Sequence, residues 1–246
     1  MKLGLFTDVH YCHADILCKT RRPLLSIGKL HEAMEFFKSK GVELCICLGD
    51  LTDHPKDNTK EETLSCLGEV METVNSYNIP FVLVPGNHDY LMMTADELSE
   101  AVCCQIPPYS LKFNECTLIV LDANYRESGN RFDIEGVKWT DSNLTASQLE
   151  FLKNELEKAQ NECIVLVHEC LSPFVEERHI IKNADKAREI IKDSQKVKIV
   201  ISGHYHKGGD HTVDGIRYLT IPAMCEGEEN YYKIFEIQIK EKPWNT

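Results

Sequence analysis

Apolar runs alternate with helix-period segments along the first third of the chain. Lys2–Thr7 reads as a strand. In Ser26–Lys40 the apolar residues Ile27, Leu30, Ala33, Met34 and Phe37 recur at helical spacing, and Gly41 supplies a stop. Glu43–Leu48 is a second strand. Thr59–Tyr77 repeats the helical stripe with Leu64, Leu67, Val70, Met71 and Val74, and Phe81–Val84 is a third strand ended by Pro85–Gly86. This βαβαβ order predicts a parallel sheet with right-handed crossovers.

The second half is patterned differently. Tyr109–Phe113 and Thr117–Leu121 flank Asn114–Glu115 and read as a hairpin. Thr145–Ala159 reads as a helix with Thr145 as N-cap and Gln148 placed to complete a capping box. Glu162–Val167 is a strand, Asn183–Asp193 a helix and Val197–Ser202 a strand. His211–Val213, Ile216–Ile221 and Tyr232–Ile239 finish as antiparallel strands, with Asp214–Gly215 as a tight turn. No internal repeat, low-complexity stretch or linker interrupts the pattern. The expectation is one α/β domain over residues 1–246, with two packed mixed sheets and helices on their outer faces.

Composition narrows the setting. With 43% hydrophobic residues, the chain can fill a sizeable core. No apolar run has the length of a bilayer span, so no membrane partner is expected. The opening MKLGLFTDVH is too short in its apolar part for a signal-peptide core, and no small-residue cleavage site follows. It reads as a buried first strand in a cytoplasmic protein. A formal net charge of −12 disfavours nucleic acid as a partner, because a polyanion is repelled. It leaves room for a small phosphorylated substrate, since bound cations reverse the field inside one pocket. The 11 cysteines lack paired CxxC spacing. Cys45, Cys47 and Cys163 lie in strand-like runs as small hydrophobes, and a disulfide framework is not expected.

Five segments share one trait: an apolar strand followed at once by a metal-ligating residue type. They are LFTDVH (Asp8, His10), CLGDLTD (Asp50), VPGNHD (Asn87, His88), VLVHE (His168) and ISGHYH (His204, His206). In a parallel sheet the carboxyl ends of the strands open into one crevice, so these residues are expected to meet. Asp8 and His10, like His204 and His206, are two apart, which in extended backbone sends both to one face. Gly49, Gly86 and Gly203 each precede a candidate ligand and permit close backbone approach. Imidazole and carboxylate together favour Mn, Fe or Zn over Ca or Mg. Asp50 is placed to bridge two ions, and Asn87 offers a neutral amide oxygen. Two carboxylates against two divalent ions leave a net positive site, suited to attracting phosphate and acidifying a bound water. His13, His31, His54, His179 and His211 stand alone and read as surface or supporting residues.

At these residues the sequence resembles the calcineurin-like metallophosphoesterases, whose pattern is D-x-H, G-D, G-N-H-D/E, a lone H, then G-H-x-H. The chain has DVH, GD, GNHD, His168 and GHYH, and the resemblance runs from residue 3 to about 239. It implies a four-layer αββα sandwich and two divalent or mixed-valence ions (Mn, Fe or Zn). It places Asp8, His10, Asp50 and His206 on the first ion, and Asp50, Asn87, His168 and His204 on the second. By the same resemblance, His88 is no ligand but protonates the leaving oxygen or stabilises the transition state, with Asp89 orienting it. The purple acid phosphatases carry a Tyr ligand in G-D-x-x-Y; here Asp53 stands at that place. GHYHKGG, and LDANYR followed by a helix with Gln148 and Leu149, look like the manganese-dependent ADP-ribose/CDP-alcohol diphosphatase group. The S-H-x-P of that group appears here as VHECLSP.

The expected reaction is hydrolysis of a phosphodiester or diphosphate bond in a small nucleotide-type substrate. A metal-bound hydroxide attacks phosphorus in line, with His88 assisting the leaving group. Asn124 and Arg126, just past a strand, and Tyr11, beside His10, are candidate substrate contacts. The alternatives are a phosphomonoesterase or a cyclic-nucleotide phosphodiesterase and, outside the enzymes, a scaffold or binding module on the same fold. Against the scaffold stands the filled ligand set. A nuclease subunit is disfavoured by the acidic charge and the lack of a basic arm.

Overall fold

The computed structural model describes residues 1–132 and 138–237. The first sheet has three parallel strands, β1 (Lys2–Phe6), β2 (Leu44–Cys47) and β3 (Phe81–Leu83), joined by α1 (Pro23–Ser39) and α2 (Lys60–Ser76). Helix α1 begins earlier than its apolar stripe, because Pro23 at the first turn has its fixed φ pre-set and needs no N–H partner there. Thr59 and Glu62 close a capping box at the start of α2. A short helix, α3 (Ala95–Val102), lies outside the sequence expectation. Only Leu98 and Val102 are buried on it, too few for periodicity to register. Its one legible signal is the Thr94–Glu97 capping box.

The second sheet runs β4 (Tyr109–Lys112), β5 (Cys116–Val120), β6 (Glu162–Leu166), β7 (Val197–Ser202), β9 (Ile216–Thr220) and β8 (Gly209–Val213) in spatial order. Strands β4–β5 and β8–β9 are antiparallel hairpins; β5, β6, β7 and β9 are parallel. Helices α4 (Ala146–Lys158) and α5 (Ala184–Ser194) cover the outer face. The last described strand, β10 (Lys233–Glu236), does not continue this sheet. It crosses to the first and pairs antiparallel with β1, so the expected run of three final antiparallel neighbours is corrected. Residues 238–239 of that expected strand lie outside the described residues.

Three apolar layers hold the assembly. Leu3, Leu5, Ile46, Leu48 and Val84 of the first sheet face Leu118, Val120, Leu166, Ile199 and Ile201 of the second. Outside the first sheet, Leu30, Met34, Phe37, Leu67 and Val70 pack from α1 and α2. Outside the second, Leu152, Leu156, Ala187 and Ile191 pack from α4 and α5. The order is helix, sheet, sheet, helix, a four-layer αββα sandwich. Because the central strands are covered on both faces, they read as unbroken apolar runs rather than alternating ones. Among the described residues no helix is long and apolar enough to cross a membrane.

The expected capping box of α4 forms only by half. Thr145 accepts from the Gln148 amide, but the Gln148 side chain turns to Asp122. Its Nε2 donates to the Asp122 carbonyl at 2.6 Å and its Oε1 accepts from the Asp122 amide at 2.9 Å. This clip fastens the end of β5 beside the strand-end crevice.

Candidate metal centre

The carboxyl ends of β1, β2, β3, β6 and β7 open on the same edge, and the seven candidate ligands meet there. Asp8, His10, Asp50, Asn87, His168 and His204 are buried, and His206 is partly exposed. Convergence is not achieved by extended backbone, as the two-residue spacing suggests. Asp8, His10, Asp50 and His204 all have positive φ, between 46° and 63°. These left-handed turns re-aim consecutive side chains into one volume, at a strain that non-glycine residues bear only where the surroundings over-determine them. Close approach explains the neighbouring glycines. A Cβ on Gly49 would overlap the His168 ring, one on Gly86 the Asp50 carboxylate and one on Gly203 the Thr7 hydroxyl.

The donor atoms are unpaired. Asp8 Oδ1, His10 Nε2, Asn87 Oδ1, His168 Nε2 and His204 Nε2 are buried with no hydrogen-bond partner. Orphaned buried polar atoms are costly singly, and five in one place require a common partner. On Asp8, His10 and His168 the opposite atom is engaged. Thr7 Oγ1 and the His204 amide donate to Asp8 Oδ2, at 2.6 and 3.0 Å. His168 Nδ1 donates to the Leu48 carbonyl, so in the neutral ring Nε2 keeps the free lone pair. His206 Nδ1 donates to Glu226 Oε1 at 2.6 Å, which leaves Nε2 facing Asp8 Oδ1 at 3.2 Å. Asp50 Oδ1 accepts the His88 amide at 2.8 Å, while Oδ2 stands 3.4 Å from both His10 Nε2 and His168 Nε2. Asp50 Oδ2 thus lies between the two candidate sets, the position a bridging oxygen needs. The residues fit a pair of borderline divalent cations by donor type as well as by position.

Electrostatics agree. Burial would raise the Asp50 carboxyl, but His168 and His88 hold it far below the usual carboxylate range. Burial and the Arg21 charge oppose charge on His10, yet Cys225 and Asp53 pull it up to about 9. Burial also opposes charge on His206, and Asp8 pulls it up to about 12. The carboxylates call for positive charge, which a divalent ion would supply.

Around this floor is a cleft of ≈ 500 Å³ lined by Arg21, Asn87, His88, Trp139, Arg178 and His179 among others. Trp139, Arg178 and Arg21 were not singled out by sequence, and His179, expected to be a surface or supporting residue, forms part of the wall. Its ring centroid lies 5.0 Å from that of Trp139 and 5.1 Å from that of His204. Burial and the adjacent Arg178 pull His179 down to about 4.

Asp53 is the further residue that sequence reasoning passed over. Its Oδ1 lies 3.2 Å from His88 Nδ1, and its Oδ2 lies 3.4 Å from His10 Nδ1 and 2.7 Å from Arg21 Nη1. The carboxylate facing the His88 ring is that of Asp53 and not, as expected, that of Asp89. The Asp89 carboxylate accepts the amides of Asp50, Leu51 and Gly86 and fixes the loops instead. GDLTD already held the signal, since Asp53 occupies the place where a ligating Tyr stands in other sequences.

The expected substrate contacts lie off the cleft. Tyr11 is buried and donates to Glu69 Oε2 at 2.6 Å, so it packs beneath the site. Asn124 is fully buried and its Nδ2 donates to the Pro85 carbonyl and to Asp122 Oδ1, both at 2.8 Å; it braces the loop that carries Asn87. Arg126 is half-buried in the loop after β5 and is not among the residues lining the cleft.

Comparison with known proteins agrees with this geometry. The family model for calcineurin-like phosphoesterases matches residues 1–208. A probable cyclic nucleotide phosphodiesterase of Psychrobacter arcticus is 22% identical over 216 residues, covering 82% of this chain and 70% of that protein. A manganese-dependent ADP-ribose/CDP-alcohol diphosphatase of Arabidopsis thaliana is 26% identical over 296 aligned positions, covering 96% of this chain and 90% of that protein. In fold, the chain is similar to a dimetal phosphatase from Danio rerio, with a TM-score of 0.81, 18% identity and coverage of 95% and 91%.

Proposed function

This chain belongs to the calcineurin-like phosphoesterase family, and from that premise we propose that it hydrolyses a phosphodiester or diphosphate bond in a small nucleotide-type substrate. It is a metal-dependent phosphoric ester hydrolase. The observation that carries the reading is the set of five orphaned, buried donor atoms, two of them 3.4 Å from Asp50 Oδ2. Asp8, His10, Asp50 and His206 would hold one ion, and Asp50, Asn87, His168 and His204 the other. A pair of divalent ions bound there supplies Lewis acidity toward the phosphoryl oxygens and an acidified water.

The chain's own residues do the rest. His88 lines the cleft and its Nδ1 faces Asp53 Oδ1 at 3.2 Å. With Nδ1 turned toward that carboxylate, Nε2 is the atom left to exchange a proton with the leaving oxygen. Trp139 offers an aromatic face for a base, which fits a nucleoside better than a bare alkyl phosphate. His179 Nδ1 is buried without a partner, and a hydrogen-bonding group of the substrate would satisfy it. Arg21 and Arg178 bring positive charge to the cleft walls.

The test is a panel of substrates assayed with manganese, iron and zinc in parallel. The highest kcat/KM is expected on a nucleoside diphosphate linked to a sugar or alcohol. The Psychrobacter relative favours a second reading, cyclic-nucleotide hydrolysis; faster turnover of a 3′,5′-cyclic nucleotide would select it. Faster turnover of phosphomonoesters would reject both. Protein that purifies without transition metal and is not activated by manganese would point to a scaffold instead.

A further inference from the structure

A separate group of ligand-type side chains lies on the α2 side of the first sheet. Cys66 and Glu69 are one turn apart on α2, so a single helix face presents both. His13 reaches them from the loop after β1. Its Nε2 stands 3.0 Å from Glu69 Oε1, and one donor atom from each of His13, Cys66 and Glu69 lies within 4.8 Å of the other two. None of the three belongs to the centre described above.

From this geometry we propose that His13, Cys66 and Glu69 form a mononuclear site for a borderline divalent cation of the zinc type. Imidazole, thiolate and carboxylate together select zinc or cobalt over magnesium or calcium. The edge of a tetrahedron of such bonds is about 3.5 Å, so small side-chain shifts close the group around an ion. Thiolate and carboxylate cancel the ion's two charges, and the thiol proton passes to solvent on binding. Tyr11 is the positioning residue. Its hydroxyl holds Glu69 Oε2 at 2.6 Å and leaves Oε1 toward His13. Such a carboxylate orienter is what a ligating Glu requires. The His13 side chain is 57% exposed, so an ion enters from solvent and a water completes the fourth position. Because Tyr11 directly follows His10, the site shares a loop with the main centre.

The experiment uses the full chain saturated with manganese. Zinc retained after gel filtration is counted by elemental analysis, and cobalt serves as the spectroscopic probe. Wild type is expected to hold one zinc per chain more than His13→Ala, an exposed substitution that leaves basal phosphoesterase activity unchanged. A near-ultraviolet thiolate-to-cobalt band is expected in wild type and in Cys225→Ser, and is lost in Cys66→Ser. Cys225 is the control because it lies within ligand distance of His10 and His206. Tyr11→Phe should weaken zinc binding about tenfold. Equal zinc content in wild type and His13→Ala would overturn the proposal. So would a band that survives Cys66→Ser and vanishes in Cys225→Ser.

Discussion

The floor of the cleft and its rim are built on opposite principles. Floor residues come from the ends of strands in both sheets and are almost wholly buried. Several sit on left-handed backbone, and their inward atoms have no protein partner. Rim residues come from connecting segments, and their charges are already paired: Arg178 with Glu176 at 2.9 Å and Arg21 with Asp53 at 2.7 Å. The floor is over-determined by the sandwich and prepared for cations. The rim is set by loop length and composition. On the proposed function, general chemistry resides in the floor and substrate choice in the rim.

The sharpest way to break that division is Asp50→Asn. Asp50 Oδ2 lies between the two candidate ligand sets, so turnover should fall by about 10³-fold or more, equivalent to about 4 kcal/mol in the barrier. Elemental analysis should show metal content reduced at both positions. Loss of only one ion would mean that Asp50 does not bridge. His88→Ala should lower kcat by about 10²- to 10⁴-fold with metal content intact. A matching loss of metal would make His88 a ligand and move it into the floor.

Glu226→Gln tests a residue that supports the floor without belonging to it. It replaces the carboxylate on His206 Nδ1, and affinity for one ion should drop about 10- to 100-fold while the other is kept. Metal titration reads this directly, and an unchanged titration would reduce Glu226 to a surface residue. At the rim, Trp139→Ala should raise KM for a nucleotide substrate by about tenfold, the value of one base stacked on an aromatic side chain. KM for a small aryl phosphodiester should not move. A comparable change on both substrates would mean that Trp139 shapes the floor.

The smallest effect lies away from the cleft. Glu97 is held down to about 2 by Lys60 and the Thr94 amide. A depressed carboxylate contributes stability above its ordinary value of 4.5, lost as pH falls toward 2. Both partners are substantially exposed, so solvent screens the pair. Glu97→Gln should be slightly less stable than wild type at neutral pH, and denaturation midpoints of the two should merge as pH falls through that window.

Legibility followed the same division. The strands β1, β2, β3, β6 and β7 announced themselves as apolar runs, interrupted in β7 by the exposed Lys198, and each ligand candidate stood at the end of one. Long helices with a full stripe were equally plain, whereas α3 buries too little to show a period. Tyr11, Asn124 and Arg126 were chosen for nearness in sequence to a ligand or a strand end. Folding turned two of them into supports and left Arg126 outside the lining of the cleft. Trp139 and Arg178 stand near no motif, and nothing in their sequence neighbourhood marks them.

The order of apolar runs determined the layers of the sandwich, and residue type at the strand ends determined the chemistry of the floor. Both are local properties, since burial sets the run and donor type sets the ion. Only the tertiary structure decided that β10 returns to the first sheet. It also decided that Asp53 rather than Asp89 faces His88, and that left-handed turns rather than extended backbone aim the ligands inward. These depend on which atoms meet across long loops. Such contacts are settled by closing the whole chain around two sheets, and no short window of sequence encodes them.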